Sequence, residues 1–71
     1  LLMRRFNKYK QNLCVIGWDG DDYVMSYTTR VAKIDHETDT LNQLGWWSVT
    51  TQRHINYAAS ELGLTLNRNG Y

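Results

Sequence analysis

Ser48-Val49-Thr50-Thr51-Gln52-Arg53-His54-Ile55-Asn56-Tyr57-Ala58-Ala59-Ser60-Glu61-Leu62-Gly63 reads as a helix with both of its ends marked. Ile55, Ala58, Ala59 and Leu62 fall at i, i+3, i+4 and i+7, a single apolar stripe. The hydroxyls of Ser48, Thr50 and Thr51 stand where the first free N–H groups need acceptors. Gly63 stands where a helix C-terminus favours a residue that tolerates positive φ. The spacing predicts a helix from about Thr50 to Leu62 that lays its stripe on one face of a sheet. At 100° per residue, Arg53, Asn56, Tyr57 and Ser60 lie opposite that stripe, with His54 and Glu61 beside them. Ordinary solvation of a helix surface accounts for these polar residues as well as a binding role does.

Upstream of the helix the period changes from helical to strand-like. Asn12-Leu13-Cys14-Val15-Ile16-Gly17-Trp18 is a short apolar run bounded by turn residues, the pattern of a well-buried strand. Asp19-Gly20 follows, and Asp-Gly between two β-prone runs signals a hairpin. Tyr23 to Ile34 reads as one long strand or as two strands joined by a bend, and its Thr and Tyr residues favour one long strand with a bulge near Thr29. The polar segment Asp35-His36-Glu37-Thr38-Asp39 turns the chain into a third strand, Thr40 to Ser48, where Gly45 marks a bulge or a close backbone approach. The expected fold is therefore α+β: a three-stranded antiparallel meander packed against one C-terminal helix. Leu64-Thr65-Leu66 adds a short final strand or tucks two leucines under the helix, and residues 67–71 are expected to fray. Residues 1–11 are open between a short amphipathic helix, from the spacing of Leu2, Met3, Phe6 and Tyr9, and a loose arm. The opening Leu1-Leu2 before Met3 suggests that the natural start lies elsewhere.

With 71 residues there is room for a single domain, here taken as residues 1–71 with a folded body at 12–66. Cys14 is the only cysteine, which excludes an internal disulfide and any structural zinc site of the four-cysteine or two-cysteine, two-histidine type. Within Leu13-Cys14-Val15-Ile16 its thiol behaves as a small core hydrophobe. No apolar stretch approaches the ~20 residues that span a bilayer. Arg4, Arg5, Lys8 and Lys10 precede the first carboxylate. The remainder sets Arg30, Lys33, Arg53 and Arg68 against all seven acids. A basic arm on a mildly acidic body offers a handle for phosphates or an acidic protein.

No catalytic constellation assembles from the motifs. A nucleophilic triad needs a base oriented by an acid, and neither a Gly-x-Ser-x-Gly elbow nor a Gly-rich phosphate loop is present. A trio of Ser26, His54 and Glu61 can be drawn, as trios can in almost any chain. Asp19-Gly20-Asp21-Asp22 and Asp35-His36-Glu37-Thr38-Asp39 cluster hard ligands, but neither has the order of an EF-hand loop, and acids favour turns for local hydrogen bonding. No cofactor is expected. Adjacent Trp46 and Trp47 on a strand would point to opposite faces, and one helix covers only one. One of the pair should then be at least partly exposed, as an interface would use it, unless residues 1–11 or a partner pack over it.

Ser26-Tyr27-Thr28-Thr29-Arg30-Val31-Ala32 and Trp47-Ser48-Val49-Thr50-Thr51-Gln52-Arg53-His54-Ile55-Asn56 resemble a family of small bacteriophage proteins with no established function. The resemblance covers about residues 23–63. It implies phage origin and a place in the cytoplasm of the infected host, or alternatively in the virion. Of the matching residues, Ile55 is core and Ser48, Thr50 and Thr51 cap the helix; His54 and Asn56 have no such duty by this reading. The expected function is a non-catalytic accessory protein that binds a host or viral macromolecule through exposed aromatics and the polar helix face. The alternative is a nucleic-acid-binding domain that uses the sheet face and the basic arm. Candidate contact residues are Arg4, Arg5, Lys8, Lys10, Arg30, Trp47, Arg53, His54, Asn56 and Tyr57.

Overall fold

Asp19 and Gly20 both take positive φ, 51° and 84°, which is the two-residue connection whose twist matches a β-hairpin. Trp18 pairs with Asp21 across it, joining β2 (Leu13–Trp18) to β3 (Asp21–Ser26). The structure, a computed structural model, describes residues 3–71. Its remaining elements are β1 (Met3–Arg5), β4 (Thr29–Asp35), β5 (Thr40–Gln43), α1 (Val49–Leu62) and β6 (Thr65–Asn67). The six strands form one sheet in the order β1-β2-β3-β4-β5-β6, antiparallel except for the parallel pair β5·β6. The fold is α+β with one helix, as the sequence indicates, but the sheet is twice the expected width.

Two of the extra strands were hidden in segments read otherwise. Tyr23 to Ile34 is not the favoured single strand but the alternative of two, joined in a hairpin that reverses at Tyr27-Thr28, with Ser26 paired to Thr29. No glycine or asparagine marks this turn. Tyr27 adopts a φ of 54°, and its N–H bonds to Asn12 O at 2.7 Å, so the neighbouring β1–β2 connection holds the reversal. The expected irregularity lies two residues past Thr29: the register slips between Val24 and Met25, leaving Val31 as the extra residue of β4. Consecutive Val31 and Ala32 are therefore both buried, and Leu44 N–H bonds to the Val31 carbonyl at 2.9 Å.

The N-terminal segment is neither an amphipathic helix nor a loose arm. Met3–Arg5 pairs with Ile16, Val15 and Cys14 as an edge strand. Phe6 is then buried, meeting Tyr57 of α1 edge-to-face at 5.7 Å, and Tyr9 meets the same ring at 5.4 Å. Of the described residues whose spacing looks helical, only Met3 lies in β1; Phe6 and Tyr9 belong to the β1–β2 connection and reach the core from there.

Helix α1 forms as its sequence demands. Ser48 Oγ accepts from Thr51 N–H at 3.1 Å, and Gly63 takes φ 68°. Leu64 N–H then bonds Ala59 O and Gly63 N–H bonds Ser60 O, the paired closure that satisfies the last carbonyls. Ile55, Ala58 and Ala59 are buried against Leu13, Val24, Ala32, Ile34 and Leu41. Burying Ile55 alone contributes ~2 kcal/mol. The covered face of the sheet follows from the register, because Leu13 opposes Ser26, Val24 opposes Ala32, and Ala32 opposes Gln43. The other face, carrying Trp18, Tyr23, Met25 and Arg30, has no helix over it.

The tail from residue 67 onward makes hydrogen bonds to the sheet and within itself. Asn67 ends β6 and donates to Asn42 at 3.0 Å. Asn69 Nδ2 donates to Gln43 O at 2.8 Å, and Arg68 donates to the Tyr71 carbonyl at 2.8 Å.

Candidate binding surface

The meander sorts the charges. The β2–β3 and β4–β5 turns lie at one end of the sheet, and α1 descends to that same end before β6 begins. Asp19, Asp21 and Asp22 flank the first turn, Asp35, Glu37 and Asp39 the second, and Glu61 sits in the last turn of α1. These are all seven Asp and Glu residues of the chain. The opposite end holds the β1–β2 and β3–β4 connections, the start of α1 and the tail after β6. There stand Lys8, Lys10, Arg53 and Arg68, with Arg5 donating to Lys10 O at 2.6 Å, and no acid among them. A net charge of +1 conceals two poles. Strands of this length separate them by ~20 Å, more than twice the ~8 Å Debye length at physiological salt, so a partner at either end feels mainly the local sign.

The acidic end holds its charge. Asp35 Oδ1 accepts from Glu37 N–H at 3.0 Å and Thr38 N–H at 3.3 Å. The Thr38 and Glu37 amides hold its carboxyl below the ordinary carboxylate value of 3.8. His36 Nε2 lies 2.7 Å from Asp22 Oδ2, and Lys33 Nζ lies 3.4 Å from Asp21. Two open clefts of about 400 and 360 Å³ flank this end. Among the described residues no group of three His, Cys, Asp or Glu side chains is placed to hold a metal ion.

At the basic end the aromatic side chains come to the surface. Leu44 to Ser48 forms an irregular connection, not the continuation of a strand, so Trp46 and Trp47 do not alternate between faces. Trp46 is 53% and Trp47 40% exposed, and Leu44 and Val49 beside them are exposed too. Trp47 folds back over Gly45, where a Cβ would meet the indole Cη2 at 3.2 Å; this is the close approach that the glycine signals. Tyr27 and Tyr71 are exposed at the same end. The connection is fastened to the core by Gln43, whose Nε2 donates to Gly45 O at 2.8 Å and to Gln52 Oε1 at 2.7 Å. Gln52 returns a bond to Gln43 Oε1 at 2.9 Å.

Beneath this surface Ser26 Oγ and His54 Nδ1 are 2.8 Å apart. His54 is only 2% exposed, and the rings of Tyr9 and Tyr27 lie 4.6 and 5.7 Å from its own. Burial lowers its pKa below the ordinary value of 6.5, so the ring is neutral at pH 7. The Ser26–His54 part of the sequence-drawn trio thus meets. Glu61 does not join it, being seven residues further along α1, ~10 Å away. Among the described residues no carboxylate bonds the imidazole.

The residues singled out in the sequence fall into three groups. Lys8, Lys10, Arg53 and Trp47 reach the surface of the basic end, and Asn56 is exposed nearby, accepting from Gln52 Nε2 at 3.1 Å. His54 is buried and ties the helix to β3, while Tyr57 is half-buried, packed edge-to-face with Phe6 and Tyr9, its hydroxyl accepting from Lys8 N–H at 3.3 Å. Arg4 and Arg30 lie elsewhere. Arg4 borders the cleft near Leu62, and the Arg30 guanidinium lies over the Tyr23 and Trp18 rings at 5.1 and 5.4 Å on the open sheet face. Leu44, Trp46, Val49, Tyr27 and Arg68 belong to the surface but were not selected. The run of apolar residues between Leu44 and Val49, broken by glycine and lacking a period of two, is the signal that would have found them.

Geometry and register define a small α+β domain, one helix over a six-stranded sheet, with its charges drawn to opposite ends. The chain belongs to the family of unknown function DUF8033, which matches residues 2–68. No curated protein and no solved structure matches it.

Proposed function

We propose that the chain is a non-catalytic binding module, of the small accessory kind that bacteriophages encode, which docks a macromolecule of the host or virus on its basic end. The observation that carries this reading is the exposed set Leu44, Trp46, Trp47 and Val49 on one short connection. Large aromatics supply most of the binding energy of interfaces when they are desolvated by a partner. Folding alone gives no reason to leave two indoles in water beside a well-packed core. The phage attribution rests on the two sequence motifs, and with it goes a place of action in the cytoplasm of an infected bacterium.

A hydrolytic reading of Ser26 and His54 has less to support it. The pair is sealed by Tyr9 and Tyr27, lacks an orienting acid, and fulfils the ordinary need of a buried imidazole for a partner.

Site-specific photo-crosslinking tests the docking surface. A photoreactive phenylalanine analogue replaces Trp46 in one variant and Asp19 in another, and each is irradiated in bacterial cells. The expected result is a discrete adduct, protein or nucleic acid, from position 46 and none from position 19. Equal adducts from both positions, or none from position 46, would overturn the reading.

A further inference from the structure

We infer that the partner of the basic end is single-stranded nucleic acid, held by aromatic stacking on Trp46, Trp47 and Tyr27 and by phosphate contacts from Lys8, Lys10, Arg53 and Arg68. This rests on the docking surface proposed above and adds the chemistry of what binds there.

Charge complementarity selects the partner. Every side-chain carboxylate is at the far end, so an approaching polyanion meets Lys8, Lys10, Arg53 and Arg68 without a repelling Asp or Glu. The helix adds to the same field. Its N-terminus, the positive end of its dipole, opens onto this surface, yet its first turn holds no acid and its last turn no base. Arg53 lies in the N-terminal half and Glu61 in the last turn, an arrangement that forgoes helix stabilisation and strengthens the field outside. A basic surface that also presents several rings is the combination used for single strands. Bases stack on any aromatic face while cations follow the backbone.

Double-stranded DNA fits less well. Six strands make a sheet ~24 Å across, too wide for a major groove of ~12 Å that admits a helix or a two-stranded ribbon. The open face also carries Asp21 and Asp35 at its lower edge, which would repel the phosphates of a duplex laid across it. Unpaired bases, by contrast, have free faces to offer to exposed indoles.

The test is fluorescence anisotropy of labelled oligothymidine and oligouridine, each of about 15 nucleotides, titrated with the full chain at about 50 and 200 mM salt. The expected result is micromolar binding at the lower salt with quenching of tryptophan emission. The log–log salt slope should lie near −2 to −3, as for three or four phosphates at about −0.7 each. Replacing both tryptophans (W46A with W47A) should weaken binding at least about tenfold, and reversing Lys10 and Arg53 to Glu should abolish it. Asp39→Asn, at the other end, should leave it unchanged. All the altered residues are exposed, and circular dichroism confirms that each variant is folded. The tighter of the two oligomers identifies the natural strand as DNA or RNA. No anisotropy change at low salt overturns the inference. Binding that ignores the tryptophan substitutions also overturns it, reducing the surface to a generic polyanion sink. If oligonucleotides fail while a protein adduct persists at position 46, the docking surface stands with a protein partner; if both fail, the docking reading falls as well.

Discussion

Ser26 on β3 and His54 on α1 share a 2.8 Å hydrogen bond that crosses from sheet to helix beneath the rings of Tyr9 and Tyr27. This buried polar pair helps specify which turn of the helix sits over which strand, because a slip in register would leave both side chains unpaired. The bond also couples stability to pH. Burial depresses the His54 pKa below 6.5, so the unfolded chain takes up a proton before the folded one does. The contribution of His54 is complete above pH 6.5 and is lost as pH falls through the lower native value. Urea midpoints measured from about pH 7.5 down to about pH 5 should fall in the wild type, and His54→Gln should flatten that part of the curve. Identical slopes in the two proteins would show that His54 is not the group responsible.

Phe6 makes the N-terminal segment part of the core. Phe6→Ala should cost ~3–5 kcal/mol, most of the stability available to a domain of this size. Phe6→Leu should cost ~1 kcal/mol and lower the melting temperature by about 4–8 °C. A free arm would leave both melts unchanged.

The reciprocal amide pair Gln43–Gln52 anchors the tryptophan-bearing connection. Gln43→Ala should destabilise by ~1–3 kcal/mol, since Gln43 is buried and Gly45 O loses its donor. A double-mutant cycle with Gln52→Ala should give a coupling of at least ~0.5 kcal/mol. Additive losses would mean that the two amides act independently.

Gly45→Ala probes the indole directly. The added methyl meets Trp47 at 3.2 Å, and an exposed ring has room to yield. Stability should change by less than ~1 kcal/mol, while tryptophan emission shifts as the ring moves off the backbone. A large loss of stability with unchanged emission would place Trp47 in a fixed structural role instead.

The helix was legible because capping, periodicity and its terminal glycine agree in one short window. The Asp19-Gly20 hairpin was legible because its turn chemistry is local. The Tyr27-Thr28 reversal was not, since the bond that holds it comes from Asn12, fifteen residues upstream. The strand character of Met3–Arg5 comes from pairing with β2, not from its own sequence. Of the candidate surface, Trp47, Lys8, Lys10 and Arg53 were readable as residue types. Their convergence was not, because net charge hides a separation that only the alternation of strand direction creates. The burial of His54 was not legible for a related reason: helical projection places it off the stripe, but Tyr9 of the N-terminal segment and Tyr27 pack over that flank as well.

The most direct test of the central claim is a ¹H–¹⁵N chemical-shift map of the chain titrated with oligothymidine. The account predicts perturbations at the basic end, in residues 8–12, 27–28, 44–53 and 68–71, with the tryptophan indole N–H signals of the 44–48 connection among the most shifted. Perturbations centred on the Asp19–Asp22 and Asp35–Asp39 turns, or on Trp18, Tyr23 and Arg30 of the open sheet face, would contradict it.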